Sequence, residues 1–223
     1  GCFPSTTSLL ALSCCLLSTE PDWALAPVSK FFPEPVMSAS QPSCRPKVRV
    51  LCLPDIDRPV GGVKQLYRHV EHLCELGWDA SMVTEASGFR PSWFDSTAPS
   101  LSLQESWQRG ELTPSTSILV LPETYLSVDF SSFRGLNLSD LAHVVFNQNA
   151  YYTYGDMSDN ALNRLKSFYA DPSVLQVLSI SEDTHLFLSR NLGIADHRLS
   201  RVINAIEPIF KADQPKSKRI HWM

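Results

Sequence analysis

Gly61 and Gly62 are the residues of this chain whose type and place point most directly to chemistry. They stand between the apolar run Val48 to Pro54, with its loop Asp55 to Val60, and a segment of helical periodicity opening at Val63. Glycine lets backbone approach a ligand closely, and a helix start offers free N–H groups and the positive end of a dipole. Together they suit the close approach of a ligand. The spacing is not G-x-G-x-x-G and no Lys-Ser/Thr follows, so neither a dinucleotide nor an NTP fingerprint is met. A tight turn that merely packs helix on sheet is the competing reading.

Further candidates follow apolar runs. Glu123 comes after Leu121-Pro122, and Asn147-Gln148-Asn149 after Leu141 to Phe146. In an open parallel sheet such positions fall at the carboxyl edge, where ligands bind. Amides both donate and accept, which fits sugar hydroxyls, with loop capping as the alternative. Tyr151, Tyr152 and Tyr154 either stack on a ligand or pack against the next helix. Asp55, Asp57 or His143 would be the candidates if the chemistry asked for a general base. His69 and His72 lie three apart without a visible third ligand, so they read as helix-surface histidines and no metal site is assigned. Glu182 reads as a carboxylate meeting a helix N-terminus.

These residues need a scaffold, and the periodicities supply one. Val63, Leu66, Tyr67, Val70, Leu73 and Cys74 share a helix face, and Gly77 stands where a C-cap would end that helix. A strand over 78–84 completes a strand–glycine–helix–strand unit. Residues 86–114 read as a surface loop with a short element near 103–110. Continuous apolar runs at 117–123 and 141–147 predict strands covered on both faces. A helix over 159–169, a strand over 174–180, a helix capped by Ser181-Glu182-Asp183 and ending at Leu192 before Gly193, and a last strand over 201–206 follow. The alternation predicts an α/β fold, a Rossmann-like doubly wound parallel sheet.

The chain has 223 residues, 43% of them hydrophobic and 19% charged, enough for a sizeable core. A net charge of -4 argues against nucleic acid as a partner. No C-x-x-C pair occurs among the six cysteines. Cys52 and Cys74 read as buried reduced thiols, which suits a cytoplasmic location. Residues 1–45 read as a disordered or spurious extension, with Met37 as the expected start. The domain proper spans 46–210, and 211–223 reads as a hinge and the first strand of a further domain.

Gly61-Gly62-Val63 with its helix, Leu121-Pro122-Glu123, Phe146 to Asn149, Ser179 to Glu182, and Asn204-Ala205-Ile206 with Pro208 and Phe210 occur in an order that resembles a known family. The resemblance is to the N-terminal, acceptor-side domain of GT-B glycosyltransferases, of the retaining, family-four, rhamnosyltransferase-like type. It covers roughly residues 47–223. It implies one half of a two-domain GT-B architecture, whose other half, bearing most of the donor site, is not in this chain. It further implies a nucleotide sugar as donor substrate, no cofactor, and a sugar, lipid-linked or other acceptor. A lipid-linked acceptor leaves room for peripheral membrane association. Gly61, Gly62 and Val63 would face the donor diphosphate; Glu123, Asn147, Gln148, Asn149 and Tyr152 would hold the acceptor; Asn204 and Pro208 would lead into the hinge. The rival readings are a sugar-nucleotide epimerase of the same architecture and a non-catalytic Rossmann-like binding module.

Overall fold

A computed structural model describes residues 45–126, 140–153 and 158–204. Seven strands form one sheet: β1 (Lys47–Leu51), β2 (Ala80–Thr84), β3 (Ser100–Ser102), β4 (Ser117–Pro122), β5 (Ala142–Asn147), β6 (Val174–Ser179) and β7 (Leu199–Arg201). Every neighbouring pair is parallel, and the order across the sheet is β3-β2-β1-β4-β5-β6-β7. The connecting helices are α1 (Gly61–Glu75), α2 (Leu103–Gln108), α3 (Ala150–Thr153), α4 (Asp159–Ala170) and α5 (Glu182–Arg190). This is the α/β, Rossmann-like doubly wound fold that the alternation predicts.

Period-two alternation along the central strands divides the core. Val48, Val50, Ile118, Val120, Val144 and Phe146 face α1 and meet its buried side chains Val63, Leu66, Tyr67, Val70 and Leu73. Leu51, Leu119 and Leu121 point the other way, where Leu103 of α2 covers them, and Val145 and Val177 meet Leu165 and Leu188 of α4 and α5. All six residues of β4 are buried, as a strand covered on both faces requires. The chain leaves β1 toward β2 and β3, then returns to lay β4 on the other side of β1. The carboxyl ends of β1 and β4 therefore open a crevice at the point where the strand order reverses.

Local chemistry fixes the boundaries. Gly77 takes φ 76°, and the N–H groups of Gly77 and Trp78 bond to the carbonyls of Cys74 and Leu73 at 2.9 Å each. This closes α1 with a left-handed glycine turn. It also draws Trp78 into the turn, so β2 begins at Ala80 rather than at 78. β3 was hidden in the stretch read as loop; the reciprocal Ser102–Glu105 capping box that starts α2 right after it was the usable signal. α5 stops at Arg190 rather than Leu192.

The last strand is shifted relative to the 201–206 reading. Pairing with β6 ends at Ser179 and Arg201, with one further bond from the Val202 N–H to the Ser179 carbonyl. β7 is therefore Leu199–Arg201; Val202 is fully buried, while Ile203 is 72% exposed. Residues 205–206 lie outside the described residues.

At the amino edge of the sheet, away from the crevice, Arg49 is 2% exposed and reaches Asp79 at 2.9 Å and Glu111 at 2.5 Å. Lys47 adds a contact to Glu111 at 2.8 Å, and these cations hold the Glu111 carboxyl below its usual range. His143 lies toward the same edge: it is 1% exposed, pairs with the Ser173 hydroxyl at 3.3 Å, and stands four residues back along β5 from Asn147. That is about 13 Å along the strand, so the structure removes it from the general-base candidates.

His69 also departs from the surface reading. Its ring meets Phe146 edge-on at 5.0 Å, and its Nε2 is buried without a hydrogen-bond partner. Burial, then the nearby His72, pushes its pKa down to about 4. Above pH 6.5 both folded and unfolded histidines are neutral; between there and about 4 only the unfolded chain takes up the proton. His69 should therefore contribute a loss of about 2 kcal/mol as the pH drops from 7 to 5. Urea unfolding of the wild type and His69→Phe at the two pH values checks this: the pH 7 minus pH 5 stability should be lower in the variant by about that amount.

Candidate functional site

The crevice is a cleft of about 680 Å³ whose walls include Gly61, Gly62, Val63, Glu123, Gln148, Asn149, Tyr152 and Asn204. Three elements build it: the first turn of α1, the 3₁₀ turn Glu123–Tyr125 that follows β4, and the segment after β5. Each follows a strand of the parallel sheet, so all three meet at its carboxyl edge.

The glycines do not form a turn ahead of the helix. They are its first two residues, after Val60 as N-cap, and neither has a left-handed φ. No side chain caps this end and no acidic residue stands in the first turn, so the first N–H groups of a 15-residue helix whose opening residues line the cleft have no side-chain acceptor. A Cβ on Gly61 would meet nothing within 4 Å. One on Gly62 would lie 2.6 Å from the Gln148 Oε1, the free end of a flexible side chain. Neither backbone conformation nor core packing therefore demands glycine at either position.

Glu123 is 4% exposed and makes two contacts to backbone. Its Oε2 accepts the Gln148 N–H at 3.0 Å and its Oε1 the Asn149 N–H at 2.8 Å. The carboxylate thus ties the end of β4 to the segment after β5. Burial raises its pKa, outweighing the backbone N–H groups that favour the anion. Tyr125 makes a parallel tie: its hydroxyl bonds to both the N–H and the carbonyl of Leu53, joining the turn to the end of β1.

Asn147 does not line the cleft, contrary to the acceptor-binding reading. It is fully buried; its Oδ1 accepts from Tyr169 at 2.8 Å and Thr153 at 3.1 Å, and its Nδ2 donates to the Leu178 carbonyl at 3.3 Å. These bonds hold β5, β6, α3 and α4 together beneath the site. Gln148 and Asn149 do reach the cleft, with the Gln148 side chain lying across Gly62. Tyr152 is 66% exposed at the rim. Asn204 lines the far side with its Oδ1 buried and without a hydrogen-bond partner. Pro208 and Tyr154 lie outside the described residues.

Asp55 and Asp57 serve the loops instead of the cleft. Asp55 accepts the N–H groups of Glu85 and Ala86 at 2.8 and 2.9 Å, and Asp57 accepts that of Ser92 at 2.5 Å. They pin the segment between β1 and α1 to the one after β2. Cys52 is buried and lines the cleft, with its thiol pushed up to about 12 by burial and then by Asp55, which makes it an unreactive wall. Cys74 is half-buried and gives its thiol to the Ala80 carbonyl at 3.3 Å; both cysteines are free.

Arg58 was missed. It is exposed, lines the cleft, and has no hydrogen-bond or ion-pair partner among the described residues. Its place three residues ahead of Gly61 was the available signal. Among the described lining residues Glu123 is the single carboxylate, and no histidine accompanies it. No cluster of three or more histidine, cysteine, aspartate or glutamate residues among the described residues could hold a metal ion, and no described helix is long and apolar enough to cross a membrane. The cleft pairs one free cation and an uncapped helix start with amide and hydroxyl groups, a surface suited to a phosphorylated, hydroxyl-rich ligand. No family model, curated protein or solved structure matches this chain.

Proposed function

We propose that this chain forms the acceptor-side lobe of a glycosyltransferase, in which the cleft receives a sugar acceptor and meets the diphosphate of a nucleotide sugar at the start of α1. One observation carries the reading. Two glycines occupy the opening turn of a helix where their backbone has no need of them; Gly61 leaves open space and Gly62 is covered by the flexible Gln148 amide alone, beside a cleft that Arg58 also lines. The cost of glycine to a helix is then offset by ligand approach rather than by folding. The donor would be a substrate rather than a cofactor, and most of its binding energy would come from a second lobe. The motif order of the sequence supplies the sugar-transfer part of this reading.

A second reading has its own support. Among the described residues the cleft holds no paired acid and base: Glu123 has an N–H on each oxygen and burial keeps the Cys52 thiol protonated. Such a surface binds and orients, and a non-catalytic binding module would need no more. A retaining transferase asks no general base of this lobe either, so both readings share the site and differ in the reaction.

Titration of the chain with UDP-, GDP- and dTDP-sugars, followed by amide NMR, separates them. Transfer predicts weak, millimolar donor binding with shifts centred on Gly61, Gly62 and Gln148, weakened about fivefold or more in Arg58→Gln. Micromolar binding of a nucleotide by this lobe alone would favour the module. No shift in the first turn of α1 with any donor would overturn the transfer reading.

A further inference from the structure

We propose that a second, smaller lobe of the cleft binds an anionic sugar unit, a hexose carrying a carboxylate or a phosphate, with Arg164 as its anion contact and Tyr152 as its side wall. This rests on the glycosyl-transfer reading, and it names the acceptor class for the same site.

The small lobe has a volume of about 230 Å³ and shares Glu123, Thr124 and Tyr152 with the large one. At about 30 Å³ per water it has room for several waters, the scale of one sugar ring and too little for a nucleotide. Leu126, Ala161 and Leu165 give it an apolar floor, each less than 10% exposed. Tyr152 stands at 66% exposure between the two lobes, a ring against which the apolar face of a sugar can lie. Thr124 is exposed at the junction, and its hydroxyl is open to a ligand. Thr153 contributes no such group, because its hydroxyl is given to Asn147 at 3.1 Å.

Arg164 decides the charge. It lies on the second turn of α4, exposed at the lobe, and has no hydrogen-bond or ion-pair partner among the described residues. The other charged group in the lobe, Glu123, is 4% exposed and has one backbone N–H on each oxygen, so both oxygens are already partnered. A guanidinium presents a planar fork of donors that matches a carboxylate or a phosphate. The two lobes repeat one plan: each has a free arginine, Arg58 in the large lobe and Arg164 in the small one, on either side of the shared Glu123–Thr124 corner. An anionic ring in the small lobe would lie beside a diphosphate at α1, the adjacency that sugar transfer needs.

The full chain should be titrated with glucose, glucuronate, glucose 6-phosphate and inorganic pyrophosphate, in the wild-type, Arg164→Gln, Arg164→Lys and Arg58→Gln forms. Glucuronate or glucose 6-phosphate, whichever anion fits, should bind at least tenfold more tightly than glucose. Arg164→Gln should erase that preference, Arg164→Lys should restore part of it, and Arg58→Gln should leave it intact while weakening pyrophosphate. Equal binding of glucose and both anionic sugars, or anionic binding unchanged in Arg164→Gln, would overturn the inference, and pyrophosphate binding through Arg58 would then leave the transfer reading standing. Conversely, anionic-sugar binding through Arg164 with no pyrophosphate or nucleotide-sugar binding would sink the transfer reading and the acceptor role with it.

Discussion

Gly62→Ala should leave the protein as stable as before, or slightly more so, and weaken pyrophosphate or nucleotide-sugar binding at least tenfold. The stability part follows from helix physics. Alanine is favoured over glycine by up to about 1 kcal/mol within a helix, and less in a first turn. Against this, the new methyl would sit 2.6 Å from the Gln148 Oε1. That atom ends a rotatable side chain at a solvent-open cleft, so it can turn aside at little cost. The binding part rests on the proposed reading: an anion reaching the N–H groups of α1 would take the place where the Gln148 amide lies over Gly62, and the methyl would narrow that place. Gly61→Ala supplies the propensity control, because a Cβ there meets nothing within 4 Å. Thermal melts and pyrophosphate titrations of the two variants give the answer. A Gly62→Ala protein that binds pyrophosphate like the wild type would remove the ligand-approach explanation; one that loses several kcal/mol of stability would restore a packing role.

What could be read in advance, and what could not, divides along physical lines. Burial patterns were legible because they are periodic: the 3.6-residue repeat of α1 and the continuous runs of β4 and β5 leave few alternatives. β3 escaped because three residues, Ser100–Ser102, are too few to show a period. β7 was misplaced because Val202-Ile203 is as apolar as a strand, yet the sheet's hydrogen bonding ends at Ser179 and exposes Ile203. The carboxyl-edge rule brought the glycines, Glu123, Gln148, Asn149 and Tyr152 to one cleft, since in a parallel sheet that edge follows from chain direction alone. It could not rank side chains within the edge. Asn147 and Gln148 are adjacent amides, but strand alternation turns the first into the core and leaves the second at the cleft. Asp55 and Asp57 likewise looked available for chemistry until their backbone partners on a distant loop were visible.

The same distinction sets what Glu123 should do. Glu123→Ala removes both acceptors of the Gln148 and Asn149 N–H groups in a nearly buried corner, and each orphaned donor costs about 1–3 kcal/mol. A net loss of about 3 kcal/mol at pH 7 is expected, with any ligand binding in the cleft weakened as well because the segment carrying Gln148 and Asn149 loses its anchor. Glu123→Gln tests the charge. Burial raises the Glu123 pKa above its ordinary 4.5, so the folded state holds its proton to higher pH than the unfolded chain does. The stability from this group is fully present below 4.5 and is lost as the pH rises through the folded value. His69 acts in the opposite sense over an overlapping range, losing stability as the pH falls from 6.5 toward about 4. Measured in the His69→Phe background, the two effects come apart: stability should decline with rising pH while Glu123 is present and become flat across that range in the His69→Phe, Glu123→Gln double variant. A decline that survives in the double variant would assign the titration to another group and reduce Glu123 to a plain hydrogen-bond acceptor.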